Sequence, residues 1–176
     1  MSVTLHAYNV DQLSTVQKDA VRALLLKSYA QYEPLYTDPQ VWTTYAADIH
    51  AAVDHPHVDK FITAQIDERF VGVVLLFKGG EKAYNRPELH LESHVIRFLA
   101  VDPIERGKKI AEQLIQESFK WIGEQGGNEL VLHTSDKMQS AIKLYERMGF
   151  ERAPQYEYAL GDTYVKSYRI AIAITT

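Results

Sequence analysis

The sequence predicts a mixed α/β fold organised as one domain, and three observations predict it. Strand-like and helix-like segments follow the order β-α-α-β-β-β-α-β-α-β-β, about seven strands and about four helices sharing one sheet. The length of 176 residues suits one domain with a core of its own. No internal repeat, low-complexity tract or linker divides residues 1–176.

Residues 3–8 alternate weakly and open the chain as a strand. Residues 11–31 are helical: Val16, Ala20, Ala23, Leu24 and Lys27 recur at helical spacing, Asp11 is a candidate cap, and Pro34 ends the run. Asp38-Pro39 opens a second helix through about His50, with proline near its first position. Residues 61–66 and 70–77 form a hairpin around Asp67-Glu68-Arg69. A polar loop from Gly79-Gly80 to Pro87 leads to a long strand, 89–101, closed by Asp102-Pro103.

The clearest helix is 104–125, where Ile110, Ala111, Leu114, Ile115, Phe119 and Ile122 make one apolar stripe that belongs to the core. Gly126-Gly127 stops it, and residues 130–132 form a short buried strand. Residues 137–148 are helical, with Ala141, Leu144, Tyr145 and Met148 on one face and Gly149 at the C-terminal cap. Strands 150–160 and 164–174, around Gly161-Asp162, close the fold and could pair across a homodimer.

Composition excludes several functions. Without cysteine there is no disulfide framework, thiolate zinc site or catalytic thiol. That absence is compatible with a reducing cytoplasm, the expected location. The start, MSVTLHAYNVDQL, lacks the basic and apolar regions of a signal peptide, and no apolar run is long enough to span a bilayer. A net charge of -4 and the absence of a long basic run argue against a nucleic-acid partner. The acidic balance favours a cationic acceptor only through long-range steering.

Chemistry concentrates in the strand–turn–helix stretch 96–111. A helix N-terminus offers unpaired N–H groups and a partial positive charge, suited to phosphate. Gly107 permits close approach to the backbone, and Arg106, Lys108 and Lys109 add positive charge. The loop is not a Walker A loop, because the second glycine and the Lys-Ser/Thr ending are missing. Arg106-Gly107-Lys108-Lys109-Ile110-Ala111 resembles the acyl-CoA signature of the GNAT N-acetyltransferase superfamily. About 35 residues on, Ser140-Ala141-Ile142-Lys143-Leu144-Tyr145-Glu146-Arg147-Met148-Gly149-Phe150 resembles its second signature. The element order matches along nearly the whole chain.

The resemblance implies a mostly antiparallel central sheet and transfer of an acetyl group from acetyl-CoA to a small-molecule or peptide amine. It places the CoA pyrophosphate on the N–H groups of Arg106, Gly107, Lys108, Lys109, Ile110 and Ala111. It runs the pantetheine along Leu99, Ala100 and Val101, with a main-chain N–H near Leu99 polarising the thioester carbonyl. The thioester lies where that strand and 130–133 splay apart. Tyr145 is implied as the acid that protonates the leaving thiolate. Two positions depart from the pattern. Lys109 replaces the second glycine and can still donate its N–H if it stays helical, and Met138 replaces an asparagine that contacts the pantetheine.

An attacking amine must lose a proton. Glu92 and His94, at the start of strand 89–101, are the candidates; they share a face with His90, while Arg97, Leu99 and Val101 share the other unless a bulge flips the parity. His90, Glu92 and His94 are also a conceivable metal set, but nothing else points to metal and none is expected. His133, Ser135 and Asp136 are too close in sequence to make a triad and read as a surface loop. Tyr29, Tyr32 and Tyr36, with Trp42 and Tyr45, are candidates for the acceptor wall, a role the resemblance gives this region. The same sequence allows a binder of acyl-CoA, or of another phosphorylated ligand, that turns nothing over. It also allows a phosphate-binding enzyme of another kind.

Overall fold

A computed structural model describes residues 2–173. Eight strands form one sheet: β1 (Thr4–Tyr8), β2 (Lys60–Ile66), β3 (Arg69–Phe77), β4 (His94–Val101), β5 (Glu129–Ser135), β6 (Glu151–Arg152), β7 (Tyr158–Leu160) and β8 (Thr163–Ala171). The helices are α1 (Thr15–Tyr29), α2 (Pro39–Ala51), α3 (Gly80–Tyr84), α4 (Ile110–Glu124) and α5 (Gln139–Arg147). The strand order is β1-β2-β3-β4-β5-β8-β6, with β7 also on β8. Every pairing is antiparallel except β4 with β5.

Local chemistry sets the boundaries. Ser14, not Asp11, caps α1: its Oγ accepts from Gln17 N at 3.1 Å while Gln17 Oε1 accepts from Ser14 N at 2.9 Å. The β2–β3 turn puts Asp67 and Glu68 at φ 49° and 67°, the twist a two-residue hairpin requires. The loop expected before β4 contains the short helix α3. A 3₁₀ turn at Pro87–Leu89 and a left-handed His90 delay β4 to His94. Pro154 splits the strand expected over 150–160 into β6 and β7. β8 has β5 on one side and β6 and β7 on the other, so the closing strands find partners within the chain. The expected end of the last strand, Ile174, lies outside the described residues.

The sheet separates two cores. On one face Val21, Leu24, Leu25 and Ile49 of α1 and α2 meet Phe61, Val73, Leu75, Val95 and Val131. On the other, Ile110, Leu114, Ile115 and Ile122 of α4 and Ile142 of α5 meet Ile62, Val74, Leu76, Ile96 and Leu132. Gly72 lets α4 sit close on β3, since a Cβ there would lie 2.8 Å from Ile110 Cγ2. Among the described residues no helix is long and apolar enough to cross a membrane.

Candidate active site

β4 and β5 part in the middle of the sheet. Their ladder holds only His94–Leu130, Val95–Val131 and Ile96–Leu132. Beyond it, β4 from Arg97 to Val101 keeps β3 on one side, and β5 from His133 to Ser135 keeps β8. The two free edges bound a cleft of about 880 Å³ that joins the two faces of the sheet.

A bulge in β4 decides what faces the cleft. The β3–β4 register slips between Val73–Ala100 and Leu75–Arg97, and Phe98 takes φ 59°. Val95, Phe98 and Ala100 pack on the α1/α2 side, and Ile96, Leu99 and Val101 on the α4 side. By alternation from Val95, Arg97 also points to the α1/α2 side, together with Phe98. The parity therefore flips, and Arg97 does not share a face with Leu99 and Val101.

The α4 side of the cleft ends at the loop 106–109. Asp102 Oδ1 accepts from Ile104 N at 3.1 Å and holds a 3₁₀ turn at Pro103–Glu105. Gly107 then takes φ 84° and Lys109 φ 61°, so Lys109 is left-handed rather than helical as expected. The N-cap side chain makes no bond to α4, leaving the first-turn N–H groups uncapped. Arg106, Gly107, Lys109, Ile110 and Ala111 line the cleft; Lys108 does not. Its ammonium is held by Glu105, which also accepts from Arg69 Nη2 at 2.8 Å. Those cations hold the Glu105 carboxyl below its usual range.

Leu99, Val101, Met138 and Tyr145 line the middle. Ala100 is buried away from it, under α1 and α2. Tyr145 is buried, with ring centroids 5.7 Å from Phe150 and 6.4 Å from Tyr168. Burial, reinforced by the Tyr32 phenol, pushes its pKa well above the usual phenol value, so its O–H stays protonated.

The α1/α2 side is an aromatic chamber. Tyr29 lies 5.8 Å from Tyr32 and 5.9 Å edge-on from Tyr45, and Tyr36 lies 5.3 Å from Trp42. Tyr29, Tyr32, Tyr36, Tyr45, Tyr84 and Tyr158 all reach the cleft. The β7–β8 turn closes over this side, where Thr37 Oγ1 donates to the Asp162 carboxylate. The Arg97 guanidinium lies 4.5 Å from the Tyr84 ring and 4.4 Å from the Phe98 ring, and donates to the Ala83 carbonyl at 2.6 Å.

His133, the first residue of β5 past the shared ladder, faces the same chamber. Its ring sits 4.5 Å from Tyr84 and 5.7 Å from Tyr158. Burial lowers its pKa to about 4, so it is neutral at neutral pH. Nε2 lies 2.7 Å from the Tyr156 carbonyl, which can only accept, so Nε2 carries the hydrogen. Nδ1 is then a bare lone pair, buried and without a partner among the described residues.

The expected CoA-loop residues other than Lys108, with Leu99, Val101, Met138, Tyr145 and the three tyrosines Tyr29, Tyr32 and Tyr36, thus gather around one cleft. Glu92 and His94 do not. Glu92 precedes β4 on an exposed turn. His94 lies at the far end of β4, where Nε2 meets Gln125 Oε1 at 3.1 Å beside the C-terminus of α4. Of His90, Glu92 and His94, only His94 lies on β4, and no group of three His, Cys, Asp or Glu among the described residues is placed to hold a metal. Sequence reading missed Arg97, Tyr84, Tyr158 and His133. The available signal was an arginine in the middle of an otherwise apolar strand.

Residues 19–150 match the model of the acetyltransferase (GNAT) family. A mouse relative, probable N-acetyltransferase family 8 member 5, is 34% identical over 117 residues, covering 66% of this chain and 49% of its own. Human N-acetyltransferase 8B is 31% identical over 123 residues, covering 65% and 52%. The chain thus matches about half the length of these curated relatives. The PaiA N-acetyltransferase of Thermoplasma acidophilum, solved with coenzyme A, shares the fold at TM-score 0.66 and 13% identity, covering 97% of this chain and 100% of that one. A GNAT-family acetyltransferase of Staphylococcus aureus does so at TM-score 0.66 and 18% identity, covering 97% and 99%. With its two signatures, its parted strands and a family match over most of its length, the chain belongs to the acetyltransferase (GNAT) family.

Proposed function

We propose that this chain is an acyl-CoA-dependent N-acyltransferase that moves an acetyl group from acetyl-CoA to an amine by direct attack in a ternary complex. The observation that carries the reading is one continuous cleft with an uncapped helix start on one side of the sheet and an aromatic chamber on the other. The curated relatives named as N-acetyltransferases and the coenzyme A complex of the Thermoplasma protein support it. In this reading the enzyme is a single domain of the cytoplasm that needs no metal.

The N–H groups from Gly107 to Ala111 receive the pyrophosphate, with Arg106 beside them. The free edge of β4 at Leu99 and Val101 receives the pantetheine as an added strand. A main-chain N–H near Leu99 polarises the thioester carbonyl. The amine enters through the chamber of Tyr29, Tyr32 and Tyr36. An alkylamine has a pKa near about 10, so a proton must leave as the N–C bond forms. His133 takes it at Nδ1, directly or through a water, in place of Glu92 and His94, which lie outside the cleft. The C–S bond then breaks and the departing thiolate takes a proton from Tyr145. With no cysteine in the chain, the thiol best suited to carry the acyl group is missing, which favours direct transfer.

The test is release of free thiol from acetyl-CoA across a panel of primary amines, with both substrates varied. Intersecting initial-velocity lines are expected. Parallel lines with an acetylated enzyme intermediate would overturn direct transfer. Tight acetyl-CoA binding with no thiol released by any amine would leave a sensor rather than an enzyme.

A further inference from the structure

The chain has eight arginines. Six reach a carboxylate: Arg22, Arg69, Arg86, Arg147, Arg152 and Arg169. Among the described residues the two without an ion pair are Arg97 and Arg106, and both line the cleft. Arg106 stands at the helix start where an anion is already expected. Arg97 stands in the chamber on the other side of the sheet.

Arg97 is half-buried among aromatic rings. A guanidinium in such a place needs a counter-charge, because taking it out of water is costly. Its fixed partners are the Tyr84 and Phe98 rings and one carbonyl, Ala83 O at 2.6 Å. That carbonyl uses one of five N–H donors and supplies no formal charge. The two rings and the carbonyl hold the group at the chamber wall, and its other donors are left for a ligand. The nearby His55 and His133 are both held below the usual histidine range, chiefly by burial and in part by Arg97 itself. Neither carries charge at neutral pH, so neither competes for an anion. Asp48 also lines the chamber but is exposed and makes no ion pair among the described residues.

Building on the acetyltransferase reading, we propose that Arg97 binds a carboxylate on the acceptor, so the substrate is an amine that also carries a carboxylate and an apolar or aromatic body. The planar fork of a guanidinium matches a carboxylate through two parallel hydrogen bonds. A single guanidinium matches a single negative charge, which favours a carboxylate over a phosphate monoester. The walls of Tyr29, Tyr45 and Tyr158 suit the apolar body. Arg97 immediately precedes the bulge, so the carboxylate is held beside the parted edge of β4 where the amine must react. This local charge runs against the weak preference for a cationic acceptor that the net charge gives.

The test compares matched amines with and without the carboxylate: phenylalanine against phenethylamine, and 6-aminohexanoate against hexylamine. The readout is the ratio of kcat/KM values within each pair on one preparation, which does not depend on the fraction of folded enzyme. Wild type should favour at least one carboxylated partner by about tenfold or more, through KM. Arg97→Met should collapse that ratio to near one, and Arg97→Lys should keep part of it by retaining charge without the fork. Calorimetry of the same ligands on the CoA-loaded protein reads the same contrast without turnover. A missing thiol signal would therefore sink the acetyltransferase reading and still leave the carboxylate site decided. Equal affinity within both pairs, preference for the decarboxylated amines, or an unchanged ratio in Arg97→Met would each overturn the proposal.

Discussion

Arg97 and Phe98, neighbours on one strand, point to the same face of the sheet. An undistorted strand would send them to opposite faces. The bulge that makes this possible puts Phe98 at φ 59°, a left-handed conformation that a bulky residue adopts only at a cost. The distortion at Phe98 sits two residues past Ile96, the last residue β4 shares with β5. Within these few residues the parallel ladder ends, Arg97 enters the chamber and the backbone edge at Leu99 is freed from β5.

This gives an inverted order for two substitutions. In an ordinary strand glycine is worse than alanine by roughly 0.5–1 kcal/mol. At Phe98 both lose a ring that is 6% exposed, but alanine keeps the left-handed strain and glycine does not. Phe98→Gly should therefore be no less stable in urea than Phe98→Ala. A Phe98→Gly variant less stable by the ordinary margin would mean the bulge carries no strain.

Lys109, another left-handed residue of the site, makes a parallel case on the loop before α4. Glycine relieves a cost of about 1–2 kcal/mol there, offset in part by the greater freedom it gives the unfolded chain. Lys109→Gly should be neutral to stabilising and should bind CoA at least as well as wild type. Lys109→Val should be destabilised by about 1 kcal/mol or more, because a β-branched residue resists positive φ. Thermal melts and CoA calorimetry of the pair check this.

These two residues also show what the sequence could and could not reveal. Apolar periodicity placed α4 and α5, and the short apolar run at 61–66 and the valine-rich run at 70–77 placed β2 and β3, because those patterns report burial directly. Lys109 could be matched to a glycine position by motif, yet its conformation is set by the loop as a whole. The bulge at Phe98 has no local signature, since only pairing with β3 creates it. Glu92 and His94 are candidates in the sequence only through proximity to the reactive strand. A 3₁₀ turn shortened that strand, and the parallel ladder put its start at the end away from the gap. In the sequence His133 reads as part of a surface loop, because only the parting of β4 and β5 brings it into a chamber.

Lys108 should contribute little to CoA affinity, although it sits in the basic cluster. Glu105 holds its ammonium, and Arg69 shares the same carboxylate. Arg106, which has only a 3.4 Å contact with Gln31, is free to turn toward a phosphate. Arg106→Ala should weaken CoA binding more than Lys108→Ala does, with a larger fall in salt dependence. A greater loss from Lys108→Ala would show that the ion pair opens on binding.

His133 makes a pH prediction with a definite sign. Its pKa is about 4 in the folded chain and about 6.5 when unfolded. Between those values the unfolded state binds the extra proton, so stability rises with pH. The folded chain should lose stability as pH falls from about 6.5 to about 4, on the order of a few kcal/mol, and His133→Gln should flatten that window. Glu157, paired with Arg152 at 2.6 Å and held at about 2, loses its own contribution only below the ordinary carboxylate range. Denaturant melts at pH 6.5, 5 and 4 separate the two groups, and an unaltered slope in His133→Gln would remove His133 from the account.

Tyr145→Phe separates an acid from a packing residue at the middle of the cleft. The ring is 6% exposed and packs beside Phe150, so a phenylalanine keeps the apolar contacts and the fold should be nearly unaffected. Only the O–H is lost. Because burial raises the phenol pKa, that O–H is protonated throughout the working pH range and can neutralise negative charge as it returns to sulfur. The same raised value makes the phenolate costly to form, so its proton must be replaced as it leaves, and a water connected to the chamber can do this. Loss of an acid that acts only as the C–S bond breaks lowers kcat without weakening acetyl-CoA binding. The expected fall in kcat is about 10²-fold, with the calorimetric affinity for acetyl-CoA unchanged. The defect should shrink with thioesters of more acidic thiols, which leave without help. A variant with wild-type kcat, or a defect of equal size for all leaving groups, would show that Tyr145 only packs against the bound arm.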